Sequence, residues 1–353
     1  MEQGPLLTME DLAYSIDGHA LIKPLSFDIN LGEVLSILGH SGSGKSTLLQ
    51  LISGLIPASA GKIVGRGQVW HQGQQSLVPT QWRNLAYVFQ DPCLFPHMSV
   101  RDNIQIAVSS RAPTIRAKHF AEIVDLTGVA ALLDRLPRQI SGGQAQRVAI
   151  ARALYASPDL MLLDEPFSSL DRPTATLMRG ELLGWLKNYG MAACFVTHNP
   201  DEAFDLSQRI GFLQSGSLLQ IAPPDQFYYR PANVDIAQWT GEGRAISLAQ
   251  DLAAESEVRY LQREFQRYCA THSEFLGLNF QLFLLYARAV DWVLDSAGQP
   301  FVVVACQFRG DYFLCQVRGS SGLTYPVCLD AFHAPGSVVP LAYRPRVRPT
   351  IIG

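Results

Sequence analysis

The stretch GHSGSGKST, Gly39–Thr47, combines glycines with a lysine and hydroxyls. Glycines let backbone N–H groups close around phosphate oxygens. The stretch fits GxxxxGK[ST], follows a strand-like run (EVLSIL, Glu33–Leu38) and opens a helix-like one (KSTLLQLISGL), the context that gives this motif its meaning. Gly39, Ser41, Gly42, Ser43 and Gly44 then form a phosphate cradle. Lys45 reaches the outer phosphates, the Ser46 hydroxyl ligates Mg2+, and Thr47 continues the helix as a further phosphate contact. Downstream, the apolar run LMLLDE ends in two acids. Asp164, closing a buried strand, can hold Mg2+ through water, and Glu165 can orient or deprotonate an attacking water. Gln90 closes the strand LAYVFQ, where its amide can ligate Mg2+ and hold the lytic water; a lone glutamine there is more often structural. His198 ends the strand CFVTH. A lone histidine there is usually structural or exposed, yet at a strand C-terminus of an open α/β sheet it faces the ligand crevice and can contact a γ-phosphate and the base.

A second glycine-rich turn leads into a helix at QISGGQAQRVAIARAL, Gln139–Leu154. A helix start with free N–H groups is an anion site. Facing the same nucleotide from the same chain, Ser141, Gly142 and Gly143 would be redundant. They make sense closing over the γ-phosphate from another copy, two chains in C2 symmetry sandwiching two ATPs. The plainer alternative is a capped helix, Ser141 as N-cap and the glycines as turn residues.

These residues need strands and helices to hold them. The first 240 or so residues alternate strand-like and helix-like runs, as α/β proteins do: EVLSIL, LAYVFQ, DLMLLDE and MAACFVTH read as strands, and RIGFLQSGSLLQIA as a hairpin about Ser215-Gly216. The texture changes near residue 241. GEGRAI reads as a linker, and 247–268 as an amphipathic helix with Leu248, Leu252, Val258, Leu261, Phe265 and Tyr268 near one face. FVVVACQF, DYFLCQV, LTYPVCL and SVVPLAY follow as short strands of a small β-barrel or sandwich. A length of 353 residues allows one large or two modest domains, and an apolar content of 48% is enough for packed cores. The net charge of −3 gives no support for a nucleic-acid partner. The N-terminus lacks a secretory h-region, and no segment reaches the roughly 18 apolar residues of a spanning helix. A soluble, cytoplasmic chain able to dock on a membrane protein is expected. Cys93, Cys194, Cys269, Cys306, Cys315 and Cys328 form no CxxC pair and no metal-like spacing to histidine, and are expected as free thiols.

Taken together, Gly39–Thr47, Gln90, Ser141–Gln144, Asp164–Glu165, Ser169-Leu170-Asp171 and His198 resemble, in that order, the ATPase subunits of ABC transporters over about residues 5–240. The resemblance implies an α/β P-loop core (1–240) with a helical subdomain at about 91–157, and ATP with Mg2+ as cofactors. It further implies a homodimer in which Ser141, Gly142, Gly143 and Gln144 act as the signature loop on the other copy's ATP, with Ile140 where the family usually has leucine. Tyr14 would stack on adenine, Asp171 would link the two sites, Glu165 would be the catalytic base and His198 the switch histidine. FQDPCLFPHMSVRDNI resembles the stretch by which importer ATPases receive a coupling helix from each of two membrane permeases, near Gln90–Ile104, with Leu94, Phe95 and Met98 as apolar anchors.

The stretch LLQIAPPDQFYYRPANVDIAQWTGEG resembles importers carrying a C-terminal TOBE-like barrel (241–353) for regulation or dimerisation, and its GEG looks like ferric-ion importer ATPases. LLYARAVDWVL resembles the family's "RPE" strand, with Ala287-Arg288-Ala289 replacing the usual residues. The chain would then sit peripherally on the cytoplasmic face of the inner membrane and serve an extracytoplasmic solute-binding protein indirectly, with no nucleic acid involved. Fe(3+) is the expected solute; polyamines, sulfate, molybdate and phosphonates are alternatives. A soluble ABC ATPase of translation or DNA repair is the competing class. That class tends to carry two cassettes or a long coiled coil, whereas one phosphate loop and no heptad run occur here.

Overall fold

The computed structural model describes residues 4–107, 113–241, 243–247, 260, 263–264, 284–309, 312–319, 323–344 and 350–352. The chain divides into two compact units, Met1–Pro224 and Asp225–Gly353. In chain order the first contains β1 (Leu7–Ile16), β2 (His19–Ile29), β3 (Val34–Leu38), α1 (Lys45–Ser53), β4 (Ala60–Gly65), β5 (Gln68–Gln72), β6 (Gln75–Ser76), β7 (Leu85–Val88), α2 (Val100–Gln105), α3 (Pro113–Thr127), α4 (Gly142–Tyr155), β8 (Leu160–Asp164), α5 (Arg172–Tyr189), β9 (Ala192–Thr197), α6 (Pro200–Leu206), β10 (Arg209–Gln214) and β11 (Ser217–Ala222).

Two sheets result. The antiparallel one runs β2-β1-β4-β5-β6; the other runs β11-β10-β3-β9-β8-β7 and is parallel from β10 to β7. Strands β3, β8 and β9 are buried along their whole length, as their unbroken apolar sequences require of a sheet covered on both faces. Strand alternation then divides their side chains between two cores. Leu160 and Leu162 join the core that packs α1 and the antiparallel sheet, including Leu12, Ile22 and Leu48. Met161 and Leu163 join the other, with Val148 and Ile150 of α4 and Met178 of α5. Helices α2, α3 and α4 form the helical subdomain on that side. The order β3-β9-β8-β7 sets the C-terminal ends of four strands side by side, where an open α/β sheet keeps its ligand crevice.

Arg83 fastens α1, the helix that follows the phosphate loop. Its guanidinium is buried, donates to the last-turn carbonyls of Leu51 and Ile52 and to the carbonyl of Val78, and lies over Trp70. Burial lowers its pKa to about 10. Arg83→Met would take the guanidinium from the Ile52 carbonyl and the closest donor from that of Val78, and is expected to lower stability by about 2–4 kcal/mol, to be read as the shift of the urea midpoint at constant slope.

The second unit opens with α7 (Pro224–Tyr229) and α8 (Val234–Trp239). Its strands are β12 (Gly243–Ser247), β13 (Leu284–Arg288), β14 (Trp292–Phe308), β15 (Phe313–Arg318), β16 (Thr324–Leu329), β17 (Val338–Tyr343) and β18 (Thr350–Ile352). They form a three-stranded sheet β12-β13-β18 and a four-stranded sheet β16-β15-β14-β17, so the unit is mostly β. Trp292, Phe301, Val317, Tyr325, Leu341 and Tyr343 fill the core. The Arg288 guanidinium is buried against the Tyr228 ring and bonds the carbonyls of Tyr228 and Ala237, tying β13 to α7 and α8.

Two expectations need correcting here. Cys306 and Cys315 are not free thiols: they stand directly opposite on β14 and β15, Cα atoms 4.1 Å apart, and are bonded. Antiparallel register, which no cysteine spacing reveals, brings them together. Cys194 does keep a free thiol, which burial pushes up to about 12; Cys269 lies outside the described residues. The helix expected over 247–268 loses its first residue to strand β12. Of the rest, only Tyr260, Arg263 and Glu264 are described, all three helical. Among the described residues no helix is long and apolar enough to cross a membrane.

Candidate functional site

The loop Gly39–Gly44 leaves the end of β3 and turns into α1. Two of its glycines are demanded by contacts. A Cβ on Gly39 would lie 2.2 Å from the Leu213 carbonyl oxygen, and one on Gly44, at φ +104°, would lie 2.7 Å from Ile22 Cδ1. At these two positions the loop curls against β10 and β2 with no room for a side chain. Lys45 is buried, and its Nζ donates to the carbonyls of Gly39 (2.7 Å) and His40 (3.0 Å). Burial lowers the pKa of this ammonium, while Glu165 and Asp164 pull it back up.

The end of β8 brings the acids to it. Asp164 accepts from Ser46 Oγ at 2.9 Å on one carboxylate oxygen and from the Tyr87 hydroxyl at 3.0 Å on the other. Burial raises its pKa; the two hydrogen bonds and Lys45 lower it, and the neighbouring Glu165 raises it. Among the described residues no group of three or more His, Cys, Asp or Glu forms a protein-only metal cage. Ser46 and Asp164 could instead supply part of the oxygen set that Mg2+ takes when substrate phosphates and water complete its shell.

Glu165 is the first residue past β8 and holds φ +44°. Left-handed backbone is uncommon outside glycine and clusters at functional sites. Its N–H is fixed on the Val196 carbonyl at 3.0 Å, and its carboxylate meets His198 Nδ1 at 3.1 Å. The Glu165 side chain is 16% exposed and that of His198 54%, so the pair lies at the rim between protein and solvent.

A closed ring of polar groups braces His198 from both flanks. Thr197 Oγ1 donates to Glu202 Oε2 at 2.5 Å, the Asn199 N–H donates to Thr197 Oγ1 at 3.0 Å, and Asn199 Nδ2 reaches Glu202 Oε1 at 3.4 Å. Glu202 is buried, which raises its carboxyl pKa.

Contacts thus join Lys45, Ser46, Asp164, Glu165 and His198. The other expected residues lie apart from this cluster. Gln90 is exposed on the loop after β7. Tyr14 is half-buried and packs on the core between the sheets. Ser141 is the N-cap of α4 in a reciprocal box with Gln144, the Gln144 N–H on Ser141 Oγ at 3.3 Å and the Ser141 N–H on Gln144 Oε1 at 3.0 Å. Ser141 and Gly142 are exposed. Gly143 lies against Leu170, where a Cβ would be 3.0 Å from Leu170 Cδ2. Asp171 caps α5 through the Thr174 N–H, and the Thr174 hydroxyl together with that N–H holds its carboxyl below the usual range.

Beside Gln90, the rings of Phe89 and Phe95 with Ile106, Ala107 and Ala153 line a groove of about 550 Å3. Of the three apolar anchors expected there, Phe95 lines the groove, Leu94 packs inward on the core, and Met98 is half-buried. Arg152 of α4 holds the loop from behind, donating to the carbonyls of Pro92 (2.9 Å) and Cys93 (3.0 Å).

Sequence reasoning overlooked Tyr87, Glu202 and Arg152. Each acts across the fold or within a helix turn, and none stands in a phosphate-binding pattern. The position of Tyr87, a hydroxylated ring three residues before Gln90 in an otherwise apolar strand, was the one available signal.

Comparison with known proteins gives a consistent picture. The model of the ABC transporter family matches residues 22–168. The chain is 40% identical over 261 residues to the Fe(3+) ions import ATP-binding protein FbpC 2 of Haemophilus influenzae, covering 73% of this chain and 72% of that one. It is 39% identical over 222 residues to the molybdate/tungstate import ATP-binding protein WtpC of Pyrococcus horikoshii, covering 62% and 63%. Among solved structures, the ATP-binding cassette MJ0796, dimeric in a post-hydrolysis state with ADP and Pi, superposes with TM-score 0.55 at 26% identity, over 62% of this chain and 98% of that one.

Proposed function

Since the chain belongs to the ATP-binding subunits of ABC transporters, is of importer type and hydrolyses ATP in that role, we propose that the solute its transporter imports is Fe(3+). One observation carries the choice. The likeness to the Fe(3+) import protein is 40% over 261 residues, against 39% over 222 or 254 residues for molybdate/tungstate import proteins and 37% over 257 for a spermidine/putrescine one. Molybdate is the second reading, favoured by 39% identity over as many as 254 residues.

In this reading the backbone of Gly39–Gly44, with Lys45 and Thr47, holds the phosphates of ATP, and Tyr14 meets the adenine. Ser46 and Asp164, joined by Gln90, hold Mg2+, which when bound supplies charge neutralisation at the outer phosphates. Glu165 takes a proton from the attacking water. His198, oriented by the carboxylate of Glu165 and braced by Thr197, Asn199 and Glu202, steadies the charge that develops on the γ-phosphate. Such preorganised electrostatics dominate phosphoryl transfer. Ser141, Gly142, Gly143 and Gln144 of a second copy close each site, and Asp171 lies between the two. Two permeases seat helices in the groove near Gln90–Ile104, the chain lies peripherally on the cytoplasmic face, and a solute-binding protein delivers cargo on the far side. The second unit serves as a TOBE-like regulatory or dimerisation domain.

Uptake of radiolabelled Fe(3+) by cells lacking other iron routes is expected to disappear when Glu165→Gln replaces the wild-type chain. Unchanged iron uptake together with lost molybdate uptake would move the assignment to the oxyanion and leave the ATPase untouched.

A further inference from the structure

The hydroxyl of Tyr87 does something that the phosphate motifs do not require. It donates to Asp164 on the carboxylate oxygen that Ser46 does not take. A carboxylate held on both oxygens cannot rotate about its last bond. The same ring stacks on Phe89, centroids 4.2 Å apart and planes 27° from parallel, and both rings line the apolar groove beside Gln90. The register of β7 on β8 fixes the arrangement, pairing Tyr87 with Leu162 and Val88 with Leu163, so the Tyr87 side chain leans along β8 to reach Asp164. One residue therefore touches both the carboxylate expected to face Mg2+ and the wall of the groove.

We propose that Tyr87 is a positioning residue for the metal site: its hydroxyl fixes the Asp164 carboxylate, and its stack on Phe89 lets whatever fills the groove adjust that carboxylate. The first half stands on the two hydrogen bonds. The second rests on the reading of the groove as the seat of a permease helix. Partners that orient a metal's direct ligands are typically worth 10–100-fold in metal affinity. The groove would then signal to the metal site through two stacked rings rather than through Gln90.

The test is a metal titration on the full chain carrying Glu165→Gln, so that ATP is not consumed. Free Mn2+ is followed by its electron paramagnetic resonance signal at saturating ATP. Tyr87→Phe keeps the ring and its stack but lacks the hydroxyl. It is expected to raise the half-saturating Mn2+ concentration about 10-fold while leaving metal-free ATP affinity, measured in EDTA, within 2-fold. Tyr87→Met, which lacks both ring and hydroxyl, should show at least as large a rise and covers the case in which the Phe variant does not fold. Phe89→Ala removes the stack and leaves the hydroxyl; a rise of about 3-fold is expected. An unchanged Mn2+ requirement in both Tyr87 variants would overturn the positioning role. An unchanged requirement in Phe89→Ala alone would overturn the link to the groove. Both measurements are made without permease, so failure of the transport reading would not alter either result.

Discussion

ATP turnover by a Glu165→Gln variant is expected to fall about 10²–10³-fold, a loss of roughly 3–4 kcal/mol of transition-state stabilisation. The substitution keeps shape and a hydrogen-bonding oxygen opposite His198 Nδ1, now 3.1 Å from the carboxylate, but removes the only part of that side chain able to accept a proton. The left-handed backbone at φ +44° is shared by Glu and Gln, and the Val196 carbonyl still fixes the N–H of residue 165, so the fold around the site is retained. Binding of ATP should persist, and the ATP-bound dimer should accumulate on size exclusion because its route to ADP is blocked. Phosphate release measured under saturating Mg-ATP decides the matter. A variant turning over at the wild-type rate would remove Glu165 from the role of base and leave His198 to be tested in its place.

The second large effect concerns the loop that begins α4. Ser141→Arg is expected to abolish hydrolysis while ATP binding to the isolated chain stays within about 2-fold of wild type. The reason is positional: Ser141 is exposed and is engaged with Gln144 of its own helix, and it makes no contact with Lys45, Asp164 or Glu165 of its own chain. In the reading proposed above, an arginine there would obstruct a second copy's nucleotide and leave the chain's own phosphate loop alone. Losing the cap costs about 1 kcal/mol, so Ser141→Asn, which keeps a capping oxygen, serves as the control for folding. Mixing gives the sharper readout. In a dimer of one Ser141→Arg chain with one Glu165→Gln chain, one site has an intact base and receives an intact Ser141 from across the interface. Activity should reappear in the mixture, up to half that of wild type per mixed dimer. If the loop served its own chain, no pairing of these two variants could restore turnover.

The parts of the site that were legible in sequence are those whose chemistry is contiguous along the chain. Nine consecutive residues make the phosphate loop, and the acids of LMLLDE follow a strand whose burial its own composition announces. The capping role of Ser141 was equally legible, since Gln144 stands three residues on. Contacts set by tertiary register were not legible. Tyr87 and Asp164 are 77 residues apart and meet only because β7 lies beside β8. Cys306 and Cys315 meet because β14 and β15 turn back on each other. Arg83 terminates a helix that ends some thirty residues before it, a contact that no local pattern announces. In the second unit the strands were visible as alternating apolar runs, but alternation says nothing about which strands pair, and they sort into two sheets.

The neighbouring order β3-β9-β8-β7 also acts as a ruler. Adjacent strands lie about 4.8 Å apart, so the loop after β3 and the loop after β7 start about 14 Å from one another. Main-chain hydrogen bonds set that span, and no side chain can alter it. Substitution can tune the acids, the histidine and the tyrosine one at a time, while the gauge that a triphosphate, its metal and its water must fit stays constant. The same engine can thus be coupled to new cargo by changing what surrounds the sheet, with no need to recalibrate the sheet itself.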